Sequence, residues 1–209
     1  MNSIRNTSKV IAAVCFLVSS GMSYAHPGHE TSISFISGIL HPFSGLDHLI
    51  VILLLGFWSA FVLKQIWVGP FAFLMGMMAG VFAGILGLSL HFFEFGIAAS
   101  VAGIGALLLS KKQHSTKLIL ILLAMFGLFH GFAHTQLFSQ ANLGFSLLVQ
   151  DMAGLVLATG ALHFTGALLV GALKQRTNLF AKSAGIASLI YGLGLTGQLS
   201  LAVIGGTSL

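Results

Sequence analysis

Long apolar runs separated by short polar or basic breaks set the rhythm of this chain. They fall at roughly 44–63, 67–90, 93–110, 117–139, 144–173 and 183–205, and a helix of about 20 apolar residues crosses the roughly 30 Å hydrocarbon core of a bilayer. The run at 144–173 exceeds one span and has to tilt, bend or protrude, and further apolar residues at 32–40 precede the first run. Small residues recur at four-residue intervals through Ala72, Gly76, Gly80 and Gly84, a ridge that predicts close packing of the second helix against a neighbour. No strand precedes these glycines, as a nucleotide-binding loop would require. Neither an internal repeat nor a low-complexity linker divides the chain. The pattern predicts an all-α integral membrane protein, a single domain with a bundle of about six transmembrane helices.

Composition agrees with this. The chain is 56% hydrophobic and 6% charged with mean hydropathy +1.01, whereas soluble domains are about 25% charged. Net charge is +5 with pI near 9.7, but the cations are scattered between apolar runs, which excludes a nucleic-acid partner. Residues 1–25 read as a cleavable signal peptide: Arg5 and Lys9 supply a basic start, 10–18 an apolar core, and Ser23-Tyr24-Ala25 a small-x-small cleavage site. The mature domain, 26–209, would then begin at His26 and lack thiols, because Cys15 lies in the leader. Imidazole and carboxylate remain as strong ligands, a set that disfavours soft metals. With the mature N-terminus outside, Lys64, Lys111, Lys112, Lys117, Lys174, Arg176 and Lys182 all become cytoplasmic, as the positive-inside rule requires. The expected location is the bacterial inner membrane, multi-pass, with the N-terminus periplasmic and the C-terminus also outside.

The mature chain has four acids, Glu30, Asp47, Glu94 and Asp151, all placed towards the outer side on this topology. Carboxylates within a membrane cost about 2.5–3.5 kcal/mol on insertion scales and mark ion pathways or pairing partners. The densest polar segment is His41-Pro42-Phe43-Ser44-Gly45-Leu46-Asp47-His48. Seven residues separate its histidines, which would share a face in continuous helix, while the Pro-Phe-Ser-Gly turn would fold Asp47 inward beside them. An interfacial turn accounts for any one of these residues; all three together make an N,N,O set suited to Ni²⁺, Co²⁺, Zn²⁺ or Fe²⁺. His130-Gly131-Phe132-Ala133-His134 stacks two imidazoles at i,i+4 on one helix face, where they serve either as ligands or as hydrogen-bonded core histidines. Gly131 stands where a zinc protease motif needs glutamate, so that reading fails. His91 and Glu94 form either an interfacial pair or ligands. His26 and His29 with the free α-amine would capture a metal unless the terminus is merely mobile. His114 belongs to a basic loop, and His163, about 18 Å along its helix from Asp151, suits an inner exit. Met77 and Met78 read as packing or lipid contacts.

The segment from His41 to His48 resembles the HPxxGxDH signature of the HupE/UreJ family of nickel and cobalt permeases. The likeness extends through Glu94-Phe-Gly-Ile-Ala-Ala-Ser and through His130-Gly-Phe-Ala-His134, and takes in the leader, the His-rich mature start and the six spans. It implies secondary import of a divalent transition metal, Ni²⁺ foremost, with metal-site roles on His41, Asp47, His48, Glu94, His130 and His134. Family members commonly continue the third motif as HGxE, whereas this chain reads His134-Thr135-Gln136-Leu137, which leaves Asp151 or Gln136 to compensate. No prosthetic group is expected, the metal being cargo, and no enzymatic activity. Alternatives are a cobalt importer, a membrane oxidoreductase using the histidines as haem or di-iron ligands, and an accessory protein handing metal to a partner.

Overall fold

In the computed structural model the described residues, 33–63, 65–88, 90, 92–110, 115–139 and 145–206, are helical with no strand among them. Helix α1, Phe35–Leu40, is followed by a 3-10 turn at His41–Phe43 and then by α2, Leu46–Val62. The chain continues through α3, Val68–Ile85, α4, Phe93–Leu109, α5, Thr116–Ser139, α6, Phe145–Leu173, a 3-10 turn at Lys174–Arg176, and α7, Thr177–Ile204. Of these, α3, Thr116–Thr135 within α5, and the helical stretch Phe145–Ile204 are long and apolar enough to cross a membrane. The segments Phe35–Phe43 and Leu46–Val62 qualify together but are bent by 83°. Helix α4 is apolar and shorter. Residues 1–32, which hold the expected signal peptide and mature start, lie outside the described residues.

The hydropathic logic is that of a protein solvated by lipid. Phe71 and Phe82 on α3, Leu118 on α5 and Ile204 on α7 are among many large apolar side chains exposed outward, a surface far more apolar than water tolerates on a monomer. Without water between helices, association depends on close backbone approach. The glycine ridge of α3 does this: a Cβ at Gly76 would collide with the Ala124 carbonyl of α5, and one at Gly80 with that of Leu128. The contact is reciprocal, since Gly127 and Gly131 of α5 seat on the carbonyls of Phe73 and Met77. Met77 is buried in this packing and Met78 is exposed. Helix α2 lies parallel to α6, with Gly56 against His163 and Gly166 against Leu53, while α4 packs on α7 through Gly105, Gly185 and Gly192.

The break between α1 and α2 follows from local chemistry. Pro42 lacks an amide hydrogen and enters the 3-10 turn, which closes with the Ser44 amide donating to the His41 carbonyl at 2.9 Å. Gly45 is extended (φ −118, ψ 127) and starts α2. Helix α1 is held by a capping box between Ser34 and Ser37, and Gly38 seats on the Asp151 backbone of α6.

Candidate metal centre

The break places His41 at the corner between α1 and α2, and His48 in the first turn of α2. Helix α5, held by the glycine contacts with α3, delivers His130 and His134 to the same place. His41, His48 and His134 each present one ring nitrogen, and these atoms all lie within 4.8 Å of one another. Ring centroids are 4.2 Å apart for His41 and His134, 5.7 Å for His41 and His48, and 5.8 Å for His48 and His134. An ion bound at about 2.0–2.1 Å needs its nitrogens within about 4.2 Å, so small side-chain rotations would close the set. His130 lies beside His48, ring centroid to ring centroid 4.6 Å.

Hydrogen bonds define which nitrogens are available. Asp47 Oδ1 accepts from the His48 backbone N–H at 2.8 Å and from His48 Nδ1 at 3.0 Å. An ionised carboxylate only accepts, so Nδ1 carries the hydrogen and the neutral ring's lone pair is on Nε2. His130 is fixed in the same tautomer, because its Nδ1 donates to the Phe126 carbonyl at 2.9 Å. Nε2 of His48, of His130 and of His134 are all buried without a hydrogen-bond partner. Buried imidazole nitrogens left bare, with the opposite nitrogen anchored to a carboxylate or carbonyl, have the arrangement of metal-binding histidines. Gly45 leaves room for the Asp47 carboxylate: a Cβ there would lie 2.6 Å from Oδ1.

Asp47 is thus placed as the partner of His48, outside the group of converging ligand atoms. Glu94 begins α4, half-buried, and is not in that group either. Asp151 faces α1, where the Ser37 hydroxyl lies 2.6 Å from its Oδ1 and 2.7 Å from the Ser34 carbonyl, the single hydrogen serving one or the other. His163 is buried away from the cluster, with the Phe73 ring between it and His130. His26, His29, His91 and His114 lie outside the described residues, as does the side chain of Gln136. Phe73 itself carried no sequence signal, since an aromatic residue in an apolar helix is ordinarily core.

These features define a class: a multi-pass helical membrane protein with an imidazole cluster at a broken helix. The chain belongs to the HupE / UreJ family, whose pattern matches residues 14–195. It is similar to Protein HupE of Rhizobium leguminosarum bv. viciae, 31% identical over 201 residues, covering 95% of this chain and 92% of that protein. No solved structure matches.

Proposed function

We propose that this chain is a secondary permease importing a divalent transition metal across the bacterial inner membrane, with Ni²⁺ as the substrate and Co²⁺ the alternative cargo. The observation that carries the reading is the convergence, within 4.8 Å, of ligand atoms from three histidines on separate elements. Nitrogen donors suit borderline divalent metals, and imidazole is a normal ligand for nickel. Three nitrogens leave coordination positions for water, so the ion exchanges ligands instead of being locked in a closed structural site. The break itself supports the reading, because irregular backbone at membrane depth is tolerated where it lines a cavity, and broken helices build the ion sites of many transporters.

Six spans accommodate the helices. The 60 residues of Phe145–Ile204 would extend about 90 Å as one helix, three times the hydrocarbon core. Lys174 interrupts them with a positive φ of 47, and α6 and α7 pack on different partners, so they serve as two spans. Helices α2 to α5 supply the other four, with α1 folded against α6. The leader would be cleaved, leaving the mature N-terminus periplasmic and the bend at the outer end. The ion then enters at His41, His48 and His134 and passes inward by way of His130.

Proteoliposomes containing only the purified chain test this directly. Uptake of Ni²⁺ or Co²⁺ into them, lost when His48 and His134 are both replaced by alanine, is expected. Metal binding without uptake would make the chain an accessory protein, and visible absorbance from haem or a di-iron centre would make it an oxidoreductase.

A further inference from the structure

Glycine contacts join the helices in pairs, α3 with α5, α2 with α6 and α4 with α7. Between the last two pairs the fit is loose, because α2 and α7 make few direct contacts. Phe57 and Phe180 touch, with ring centroids 4.9 Å apart, and a groove of about 230 Å³ runs from this level between α2, α6 and α7. Its α2 wall is Leu46, Ile50 and Leu54, one helix face at four-residue spacing. Its α7 wall runs from Phe180 through Ala184 to Tyr191, and Leu169 of α6 lines the end at Phe180. Ile50 and Ala184 are half-buried, so the groove is reached from outside the bundle. The lining is apolar, and the one hydroxyl along its α7 wall before Tyr191, that of Ser188, is engaged elsewhere, donating to the Val101 carbonyl at 2.7 Å.

Length, width and charge select the occupant. From Phe180 to Tyr191 the α7 wall rises about 16 Å, and half of a hydrocarbon core of roughly 30 Å is about 15 Å, the reach of one acyl chain from one leaflet. An α-helix, about 10–12 Å across, needs more room than the groove offers, so neither a second copy nor the leader fills it. The ends differ in charge. Arg176 stands one turn before Phe180, and Lys174 follows Leu169 by little more than a turn; both are exposed. At the opposite end Leu46 is followed by Asp47, an acid. A phosphate therefore belongs at the Arg176 end, where a guanidinium can take two of its oxygens, and basic pockets between membrane helices are known sites for anionic headgroups.

We propose that this groove holds one acyl chain of an anionic phospholipid whose phosphate is paired with Arg176 and Lys174, and that the lipid ties the α2–α6 pair to the α4–α7 pair. The inference goes beyond the permease reading and needs only that α2, α6 and α7 span the bilayer.

Phosphatidylglycerol is the probe, and phosphatidylcholine with the same chains is the control. Purified full-length protein in detergent is titrated with each, bound lipid is counted by native mass spectrometry, and the melting temperature is followed in parallel. Wild type is expected to bind one phosphatidylglycerol at least about ten-fold more tightly than phosphatidylcholine, and to melt higher once it is bound. Ala187 also lines the groove. Ala187→Phe puts a ring into it and should weaken phosphatidylglycerol binding at least about ten-fold and abolish the rise in melting temperature. Ala184→Leu, a smaller intrusion that serves if the first variant does not fold, should weaken binding at least about three-fold. Arg176→Gln should bring the two lipids within about two-fold of each other while phosphatidylcholine binding stays unchanged. Wild-type binding by a folded groove variant, or no lipid preference in wild type, overturns the proposal. So does a dimer that binds no lipid, which would give the groove to a second copy. No metal enters these measurements, so each of those outcomes leaves the permease reading standing, and a lipid-binding chain that moves neither Ni²⁺ nor Co²⁺ overturns that reading alone.

Discussion

His48 owes its availability as a ligand to Asp47. The carboxylate takes the Nδ1 hydrogen and the backbone N–H of the same residue, so the ring is held by two short bonds with Nε2 turned into the cluster. Replacing Asp47 with asparagine keeps an acceptor oxygen but removes the charge that strengthens these bonds. Loss of such a supporting group typically weakens metal affinity by about 10–100-fold. Asp47→Asn is therefore expected to reduce affinity for Ni²⁺ by that factor, read by titration, and to cut uptake at least about ten-fold with membrane abundance near wild type. Normal uptake by a well-expressed variant would remove Asp47 from the mechanism. Gly45→Ala should reproduce the defect without touching a polar group, because its methyl would lie 2.6 Å from Oδ1 and push the carboxylate off His48. The proximity of Asp47 to His48 was legible in the motif. Its orientation towards that ring was not, since it depends on the extended backbone at Gly45 and on how α2 begins.

At the scale of elements, α5 carries two of the histidines and is positioned by glycine contacts with α3. Gly80→Val would drive a branched side chain into the Leu128 carbonyl, and overpacking of this kind costs about 1–3 kcal/mol or more. The variant should melt lower in detergent than wild type and bind metal more weakly, as α3 and α5 separate and His130 and His134 leave register with His48. An unchanged melting temperature would show that the ridge is not what holds the pair. Helix α1 offers the contrasting case. Asp151 holds α1 through Ser37 and not the cluster, so Asp151→Leu should destabilise by about 1–3 kcal/mol, as for a hydrogen bond to a charged group, while cluster affinity stays within about two-fold. A large loss of affinity in a stably folded Asp151→Leu protein would instead assign the carboxylate to the ion path. The ridge through Gly76, Gly80 and Gly84 was visible as spacing. That it would face α5, and not another helix, was not, because small-residue spacing names a face and not its partner.

For the whole molecule, the proposed six-span arrangement would make α6 and α7 cross the bilayer in opposite directions, with the turn at Lys174–Arg176 between them. Reporter fusions after Arg176 should read cytoplasmic and fusions after Gly206 periplasmic; the same compartment at both points would overturn two separate crossings. Apolar run lengths and basic breaks carried the helical membrane class, because a bilayer imposes length and hydropathy on each segment independently of its neighbours. The His41 to His48 motif and the His130, His134 pair were legible for a similar reason: their spacing is local, and the Pro and Gly that interrupt the helix act on adjacent residues. Folding decided which of the described histidines meet. His134 approaches His41 while His130 approaches His48, Glu94 and Asp151 fall outside the set, and His163 stands across Phe73 from it. These relations depend on the rotation and axial offset of each helix, which are set by glycine contacts with partners distant in the chain and by the 83° bend. Spacing within one segment carries no information about either quantity, so the convergence of ligands exists only once the helices have packed.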